Sequence, residues 1–276
     1  MRCRSIIPWL FALFVFTACL AFAQTPGNRK ISPTLSVIDP GAWKSVQKGV
    51  EFRKIALERS EPAYRVDLKL LRFDSQWFAP RVLRSAQFQL NGANVMTLAE
   101  RSGALAAINA NYFDIDGRPL AFLKSGGQAF NPRVSKSSLY TGVFGVKEQR
   151  PFIAHRDDFL AEQADEAAQA GPLLLLRGAP QAVTAIPARA QRGALIGIDG
   201  AQRVVIAVTD TLIGGLYWTE LQEIFLAGRW QVQTPELLNL DGGGSAQLYI
   251  KTGNFEDFVS GTTEVPVAIG FFAKSN

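Results

Sequence analysis

Apolar residues in this chain occur in short runs and alternating segments separated by turn residues, and few of these segments are long enough for a helix. In residues 64–73, aromatic and aliphatic side chains alternate with Arg, Asp and Lys, which is the pattern of a strand with one buried face. Leu173–Leu176 is a purely apolar run that predicts a buried strand. Further strands are predicted at residues 104–108, 140–146, 152–154, 194–198, 203–208, 237–240, 246–250 and 265–272. Strands therefore dominate the predicted fold.

Three segments favour helices instead. Thr97 and Glu100 have the spacing of a capping box, and Gly103 predicts the end of the short helix that they begin. Residues 157–170 are rich in Ala, Glu and Gln, and residues 219–227 begin with a second capping pattern. Because strands and helices do not alternate regularly and no internal repeat occurs, we expect an α+β fold. It would be a single domain with a mixed or largely antiparallel sheet and about three helices.

The first 23 residues have the features of a secretory signal peptide. Arg2 and Arg4 precede an apolar run over residues 6–22, and Ala21-Phe22-Ala23 provides a cleavage site with small residues. The sequence therefore predicts a periplasmic or secreted protein. The chain divides into a signal peptide, a linker with an N-terminal extension, and a domain: residues 1–23, 24–50 and 51–276.

A second interpretation of the leader depends on Cys19. Phe16-Thr17-Ala18-Cys19 resembles the cleavage box of a bacterial lipoprotein, so a lipid anchor at Cys19 is the alternative to a free protein. No later apolar stretch reaches the ~18 to 20 uncharged residues that a membrane-spanning helix needs. We therefore expect no membrane span beyond the leader.

The residue types left after cleavage exclude several kinds of chemistry. Cys3 and Cys19 both lie in the leader, and His155 is the single histidine. The mature chain therefore has no thiolate nucleophile, no disulfide and no multi-histidine metal site. No metal or other cofactor is required, although the turn at Asp114 and Asp116 leaves a calcium site open. The net charge of +5 falls when the basic leader is removed, and this mild basicity indicates no nucleic-acid partner.

The most informative segment is Asn239-Leu240-Asp241-Gly242-Gly243-Gly244-Ser245. It places an acid at the end of a predicted buried strand, directly before three residues without side chains. Successive free backbone N–H groups in such a loop form an anion-binding nest, which suits a phosphate. The alternative is a tight turn in which Asp241 hydrogen-bonds to its own backbone.

Other polar residues follow or precede predicted strands. In Ala107-Ile108-Asn109-Ala110-Asn111-Tyr112-Phe113, the side chains of Asn109 and Tyr112 could bind sugar hydroxyls, or could instead serve the loop and the core. Arg189 and Arg192 come just before a strand, where an arginine can hold a phosphate through two parallel hydrogen bonds.

Two further acids lie at the ends of predicted elements. Asp210 follows the strand at 203–208, and Glu220 lies in a first helical turn, where it could simply favour the helix dipole. His155 and Ser245 lie outside any Gly-x-Ser-x-Gly motif, so a serine hydrolase is not expected.

Four segments resemble, in content and order, those of the phosphodiester glycosidase family, which includes the lysosomal uncovering enzyme. They lie at residues 107–113, 171–173, 192–198 and 239–245. The resemblance covers roughly residues 64–272. It departs at Ala110 and Asn111, which stand where the family commonly has two glycines in Asn-Gly-Gly-Tyr-Phe, so the shape of the substrate is expected to differ.

The resemblance implies a hydrolase that cleaves a sugar from a glycosyl phosphodiester in the cell envelope. Asp241 would be the general acid/base or the nucleophile. Glu220 and Asp210 compete for a second catalytic role, because glycoside hydrolysis usually uses two carboxyl groups. The residues expected to bind the substrate are Asn109, Tyr112, Arg192, Gly242, Gly243, Gly244 and Ser245. The alternative is a non-catalytic glycan-binding accessory protein of exopolysaccharide production.

Overall fold

The computed structural model describes residues 30–183 and 190–274. The predicted signal peptide, with Cys3 and Cys19, lies outside the described residues, and so does Arg189. The strands are β1 (Lys30–Ser32), β2 (Leu35–Asp39), β3 (Lys44–Gln47), β4 (Val50–Ser60), β5 (Ala63–Phe73), β6 (Phe78–Arg84), β7 (Ala106–Asn109), β8 (Leu123–Ser125), β9 (Gln128–Asn131), β10 (Gly142–Lys147), β11 (Arg150–His155), β12 (Glu166–Ala170), β13 (Leu173–Leu176), β14 (Ala179–Pro180), β15 (Ala194–Ile198), β16 (Val204–Asp210), β17 (Glu236–Asn239), β18 (Leu248–Lys251), β19 (Glu256–Val259) and β20 (Val267–Ala273). The α-helices within the same ranges are α1 (Val95–Ser102) and α2 (Trp218–Leu226).

These strands form three sheets. The largest has the order β1-β2-β4-β5-β16-β15-β17-β13-β14, and β3 also pairs with β4. The other two have the orders β11-β10-β12-β8-β9 and β19-β18-β7-β20-β6. Every strand pairing among the described residues is antiparallel. The expected antiparallel sheet is thus confirmed, with two α-helices in this part of the chain rather than about three.

The central core receives side chains from all three sheets. Phe73 of β5, Phe144 of β10 and Phe271 of β20 are buried in one cluster. The rings of Phe73 and Phe271 are stacked with their centroids 4.0 Å apart. Because these two rings come from different sheets, their contact fixes how the sheets face each other.

The strand predicted at residues 64–73 is confirmed as β5, but it is buried on both faces near its end. Leu68 and Leu70 pack in the cluster that includes α2, whereas Leu71 and Phe73 enter the central core. Successive side chains of a strand point to opposite faces, so the Leu70-Leu71 pair supplies both layers. The prediction that one face of β5 is exposed to solvent fails there because the largest sheet is covered on both sides.

Both helices begin differently from the prediction. Asn94, not Thr97, caps α1, since its side chain accepts a hydrogen bond of 2.8 Å from the Thr97 N–H. Gly103 ends α1 as expected, with a φ of 74°. At the start of α2, the Glu220 carboxylate accepts a hydrogen bond of 2.9 Å from the Tyr217 N–H, which satisfies one of the free donors of a helix N-terminus.

The helix predicted at residues 157–170 is wrong. A single 3₁₀ turn occupies Ala161–Gln163, and the segment ends in strand β12. Helix propensity amounts to only tenths of a kcal/mol per residue, and tertiary context overrides it here. Strand β12 pairs with β10 on one side and β8 on the other, and its alanines are fully buried.

Residues 30–47 differ from the predicted linker. Strands β1, β2 and β3 join the largest sheet, with β2 and β3 both pairing with β4. Strand β4 spans eleven residues, and its outer backbone groups need partners that these short strands supply. None of the helices described is long and apolar enough to cross a membrane.

Truncating Phe271 should test the junction between the sheets. We expect Phe271→Ala to lower the free energy of unfolding by about 3–5 kcal/mol, because the cavity would open in a fully buried cluster. Chemical denaturation measures the loss, and Phe258→Ala, at a side chain that is 52% exposed, is the matched control. Equal stability of the two variants would contradict a shared core.

Candidate active site

The side-chain amide of Asn109 joins strand β7 to the loop that carries Asp241. It is fully buried. Its Nδ2 donates to the Asp241 carbonyl oxygen over 2.7 Å, and its Oδ1 accepts from the Gln247 N–H over 3.0 Å. The Asp241 N–H donates to the Ala110 carbonyl oxygen over 3.0 Å. Asn109 therefore holds both ends of the 241–247 loop, and its role in binding sugar stays a prediction.

The carboxylate of Asp241 lies in a largely buried position beyond β17. Burial raises the pKa of Asp241 to about 6, although hydrogen bonds from the Ser245 hydroxyl and the Gly242 N–H oppose that rise. A carboxyl group with this pKa exchanges a proton readily near neutral pH, as a general acid or base must.

Two tyrosine rings lie beside this carboxylate. The ring centroids of Tyr112 and Tyr140 are 5.2 Å apart. Burial and then the charge of Asp241 raise the pKa of both phenols, so both stay protonated. Sequence reasoning missed Tyr140, because its segment carries no motif and only the fold brings it to Asp241.

The Tyr112 hydroxyl is held by the protein itself. It donates to the Gly171 carbonyl oxygen over 2.9 Å and accepts from Asn239 Nδ2 over 3.2 Å. A Cβ at Gly171 would lie 1.9 Å from the Leu139 carbonyl oxygen, so only glycine fits there. Tyr112 is thus near the carboxylate as predicted, but its hydroxyl is occupied and its ring is the part left for a ligand.

Gln169 holds the segment that carries Tyr140. The Gln169 side chain is fully buried, and its Nε2 donates to the carbonyl oxygens of Ser135 and Tyr140, each over 2.8 Å. Its Oε1 accepts from the N–H groups of Phe122 and Ser135. One buried amide therefore satisfies four backbone groups and fixes this segment.

The glycine loop is not an open nest of free amides. The Gly242 N–H bonds to Asp241, the Gly243 N–H to the Arg192 carbonyl oxygen and the Ser245 N–H to the Gly242 carbonyl oxygen. Gly243 has a φ of 60°, which favours glycine. The predicted tight turn is the better description of Gly242, Gly243 and Ser245, and phosphate binding by these residues stays a prediction.

Gly244 differs from its neighbours because two exposed threonine hydroxyls lie against it. A Cβ at Gly244 would lie 2.6 Å from Thr262 Oγ1 and 2.7 Å from Thr263 Oγ1. The Gly244 carbonyl oxygen accepts hydrogen bonds from the N–H groups of both threonines. These hydroxyls, which sequence reasoning missed, form a polar rim beside the Asp241 loop.

Arg192 connects two loops. Its Nη2 donates to the Ala246 carbonyl oxygen over 2.9 Å and to the Ser260 carbonyl oxygen over 2.6 Å. Its Nε is buried without a hydrogen-bond partner among the described residues. Arg192 therefore positions the 241–247 loop and the threonines after Ser260, and its contact with phosphate stays a prediction.

Glu220 does not reach Asp241. Its carboxylate forms a buried ion pair with Arg59, with Nη2 and Oε2 2.5 Å apart, and also accepts from the Ser32 hydroxyl over 2.7 Å. Together with the Tyr217 N–H, these contacts occupy both oxygens. This carboxylate therefore joins α2 to strands β1 and β4, and its catalytic role stays a prediction.

Asp210 is also apart from Asp241. It pairs with Lys69, whose Nζ lies 3.2 Å away and also contacts Asp257 at 2.7 Å. Asp210 is absent from the groups that shift the pKa of Asp241. His155 Nδ1 accepts from the Asp157 N–H over 3.2 Å, at the end of β11.

The aspartates of the turn that left a calcium site open serve the backbone. Asp114 Oδ1 accepts from the N–H groups of Asp116 and Arg118. Within residues 30–183 and 190–274, no group of three or more His, Cys, Asp or Glu side chains could hold a metal ion.

The candidate site thus combines a carboxyl group of raised pKa, a glycine loop and two tyrosine rings, on a fold of three antiparallel sheets. A phosphodiester glycosidase family model matches residues 102–272. The chain belongs to that family. A comparison with curated protein sequences gives no match.

Three solved structures have similar folds. The catalytic domain of zebrafish N-acetylglucosamine-1-phosphodiester alpha-N-acetylglucosaminidase, auto-inhibited by its pro-peptide, has 15% identity and a TM-score of 0.62, covering 86% of this chain and 87% of that one. A hypothetical protein from Synechocystis has 13% identity and a TM-score of 0.59, covering 88% and 64%. An exported protein from Burkholderia pseudomallei has 11% identity and a TM-score of 0.50, covering 79% and 74%. At these identities the likeness concerns the fold.

Breaking the buried ion pair should destabilise the protein. We expect Glu220→Gln to lower the free energy of unfolding by about 3–5 kcal/mol, because Arg59 would be left buried without its partner. The control is Glu58→Gln, which removes an exposed pair with Arg65 at 3.6 Å and should change stability by less than about 1 kcal/mol. Denaturant titration of both variants decides the point, and a Glu220→Gln variant as stable as the parent would contradict it.

The raised pKa of Asp241 should make stability depend on pH. Between an unfolded pKa of about 3.9 and a folded pKa of about 6, the native state binds more protons, so stability falls as pH rises through this range. The loss should be about 2 to 3 kcal/mol. Asp241→Asn should lack it, which unfolding free energies of both proteins at pH 4, 5, 6 and 7 would measure. If the unfolding free energies of the two proteins change with pH in the same way, the raised pKa of Asp241 is refuted.

Proposed function

We propose that the protein hydrolyses a glycosyl phosphodiester, breaking the bond between the anomeric carbon of a sugar and a phosphate oxygen. The observation that carries this proposal is the Asp241 carboxyl group. It has a pKa of about 6 and lies beside two tyrosine rings, in a chain of the phosphodiester glycosidase family.

Asp241 acts as the general acid in this proposal. The leaving group is a phosphate monoester, and its second pKa is about 6. A carboxyl group of similar pKa is well matched to protonate its bridging oxygen as the glycosidic bond breaks. The bonding electron pair leaves with the phosphate, water adds to the anomeric carbon, and the proton that this water loses returns to the Asp241 carboxylate.

A single carboxyl group suffices for this leaving group. Glycosidases usually pair two carboxyl groups because an alkoxide leaves poorly. A phosphate is a weak base, so stabilising its charge matters more than full protonation. This explains why neither Glu220 nor Asp210 needs to reach the site.

The neighbouring groups suit the two parts of the substrate. The hydroxyls of Thr262 and Thr263 and the backbone at Gly244 would receive the phosphate, as neutral donors beside the carboxyl group. The half-buried Tyr140 ring would pack against the sugar. Both predicted parts of the site, for sugar and for phosphate, thus remain in the proposal with different residues.

The predicted leader supports a periplasmic or secreted protein that acts on a cell-envelope substrate, with a lipoprotein anchored at Cys19 as the alternative. Mass spectrometry of the mature protein distinguishes the two: cleavage after Ala23 removes Cys19, whereas lipidation keeps it as the first residue.

Turnover of glycosyl phosphodiesters by the purified protein, followed by ³¹P NMR, tests the reaction. We expect Asp241→Asn to lower kcat by about 10² to 10⁴, because a general acid contributes that much. Asp210→Asn, the matched carboxylate control, should stay within about twofold of the parent. Since the protonated form is required, kcat should fall as pH rises above about 6.

A rise of kcat through the same pH range would instead assign Asp241 as the base or nucleophile. Equal turnover by Asp241→Asn would remove it from the reaction altogether.

The second candidate function is a non-catalytic glycan-binding accessory protein of exopolysaccharide production. The observation in its favour is that, among the described residues, no second carboxylate is one of the groups that shift the pKa of Asp241. Glycan binding that persists in Asp241→Asn, with no product from the parent protein, would support it over the hydrolase.

A further inference from the structure

A basic cavity lies two strands away from Asp241, at the same end of the third sheet. Arg84 of β6 pairs with Val267 of β20, and the Val267 carbonyl oxygen accepts from the Ala110 N–H. The Ala110 carbonyl oxygen in turn accepts from the Asp241 N–H. Since neighbouring strands lie about 4.8 Å apart, Arg84 is about 10 Å from Ala110 and about 15 Å from Asp241.

Arg84 has no anionic partner in the part of the chain that the structure describes. No carboxylate lies within ion-pair distance of it there, and its Nε is buried without a hydrogen bond. Its Cζ lies 3.1 Å from the centroid of the Phe130 ring, and burial lowers the pKa of the guanidinium. An arginine that is held by stacking yet keeps free donors is ready to bind an anion.

The cavity around Arg84 has a volume of about 330 Å³. A second cation, Arg118, lines it together with Asp116, and these two exposed side chains pair at 3.5 Å, which leaves the lining with one net positive charge. Ser85 and Asn91 add hydrogen-bonding groups. The apolar part of the wall consists of Leu90, Pro119, Leu123, Phe130, Pro266 and Val267. Apolar walls with a few polar groups are typical of a small-molecule site.

An adjoining cavity of about 820 Å³ lies nearer to the candidate active site. It shares Asn91, Asp116, Gly117 and Pro266 with the Arg84 cavity. Thr263, which also borders Gly244, is part of its wall. Asp114, Asp116 and Glu264 give this second cavity negative charge. The cationic groups that line these two cavities are Arg84 and Arg118, so a second anionic group of the substrate is attracted to the Arg84 end.

We propose that the substrate extends from Asp241 across the end of β20 and carries a second anionic group, a carboxylate or a phosphate, which Arg84 binds. The substrate class is thus an acidic oligosaccharide joined through a phosphodiester. The proposal rests on the proposed function for its connection to catalysis. The Arg84 site itself can be tested without turnover.

The binding test uses the purified full chain and three probes of one size: a disaccharide ending in glucuronate, the same disaccharide with a phosphate, and the neutral disaccharide. We expect at least one anionic probe to bind about tenfold or more tightly than the neutral one by calorimetry. Arg84→Gln should reduce this preference to less than threefold. Arg101→Gln, at an exposed arginine of α1, should keep it.

Two further measurements guard against a folding defect. Arg84→Lys retains the charge but loses the planar donor pair, so we expect an intermediate preference. In the unmodified protein, the ¹⁵N–¹H signal of Arg84 Nε should shift with the anionic probes and not with the neutral one. A preference that Arg84→Gln leaves intact, or equal binding of all three probes, would overturn the proposal.

Turnover separates this inference from the proposed function. If phosphodiesters are hydrolysed, Arg84→Gln should lower kcat/KM about tenfold for a substrate with the second anionic group and leave a neutral analogue unchanged. If the anionic probes bind more tightly than the neutral one through Arg84 but no phosphodiester is hydrolysed, the proposed hydrolase is refuted and the Arg84 binding site stands. If kcat/KM is the same with and without the second anionic group and is unchanged by Arg84→Gln, the Arg84 site is overturned while the proposed hydrolase stands.

Discussion

The position of the candidate catalytic carboxyl group depends on one buried amide. Asn109 bonds to the backbone at Asp241 and at Gln247, and the Asp241 N–H bonds to the Ala110 carbonyl oxygen. Strand β7 belongs to the third sheet, whereas Asp241 follows β17 of the largest sheet. The two bonds to Asp241 therefore connect two sheets at the point where the chemistry would occur, and the bond to Gln247 fixes the other end of the loop beside β18. A buried amide that lost either partner would leave an unsatisfied polar group costing about 1–3 kcal/mol, so the arrangement resists distortion.

Other buried amides hold the irregular segments around this junction. Gln169 fixes the segment before Tyr140, Gln247 bonds to the backbone at Val95 and Thr263, and Asn239 bonds to the Gly171 carbonyl oxygen. Loops that carry function must be positioned by a rigid scaffold, and fully satisfied polar networks supply that rigidity. The site can then hold Asp241 in a buried position where its charged form is unfavourable. Burial of the carboxylate is the physical origin of its raised pKa, and the stability lost at neutral pH is the consequence.

The sequence predicted features that depend on local pattern. The strand β5, the hairpin of β15 and β16 and the acid after β17 all follow from alternation and turn residues within a few positions. Sequence patterns do not reveal contacts between residues that are far apart in the chain. Glu220 is recruited by Arg59, which lies 161 positions earlier in the chain, and no local pattern reveals such a pair. Tyr140 was missed for the same reason, because only folding brings its ring to Asp241.

Ala110 and Asn111 stand where the family commonly has two glycines. Of these two residues, Asn111 changes the polar surroundings, whereas Ala110 keeps the backbone hydrogen bonds. Ala110 is only 1% exposed and belongs to the central core, and its N–H and carbonyl groups make the hydrogen bonds that join β20 to Asp241. A methyl group there adds packing and leaves the connection intact. Asn111 is also buried, yet its Oδ1 has no hydrogen-bond partner among the described residues. A buried acceptor without a donor is costly, and Asn111 places such a group next to Tyr112.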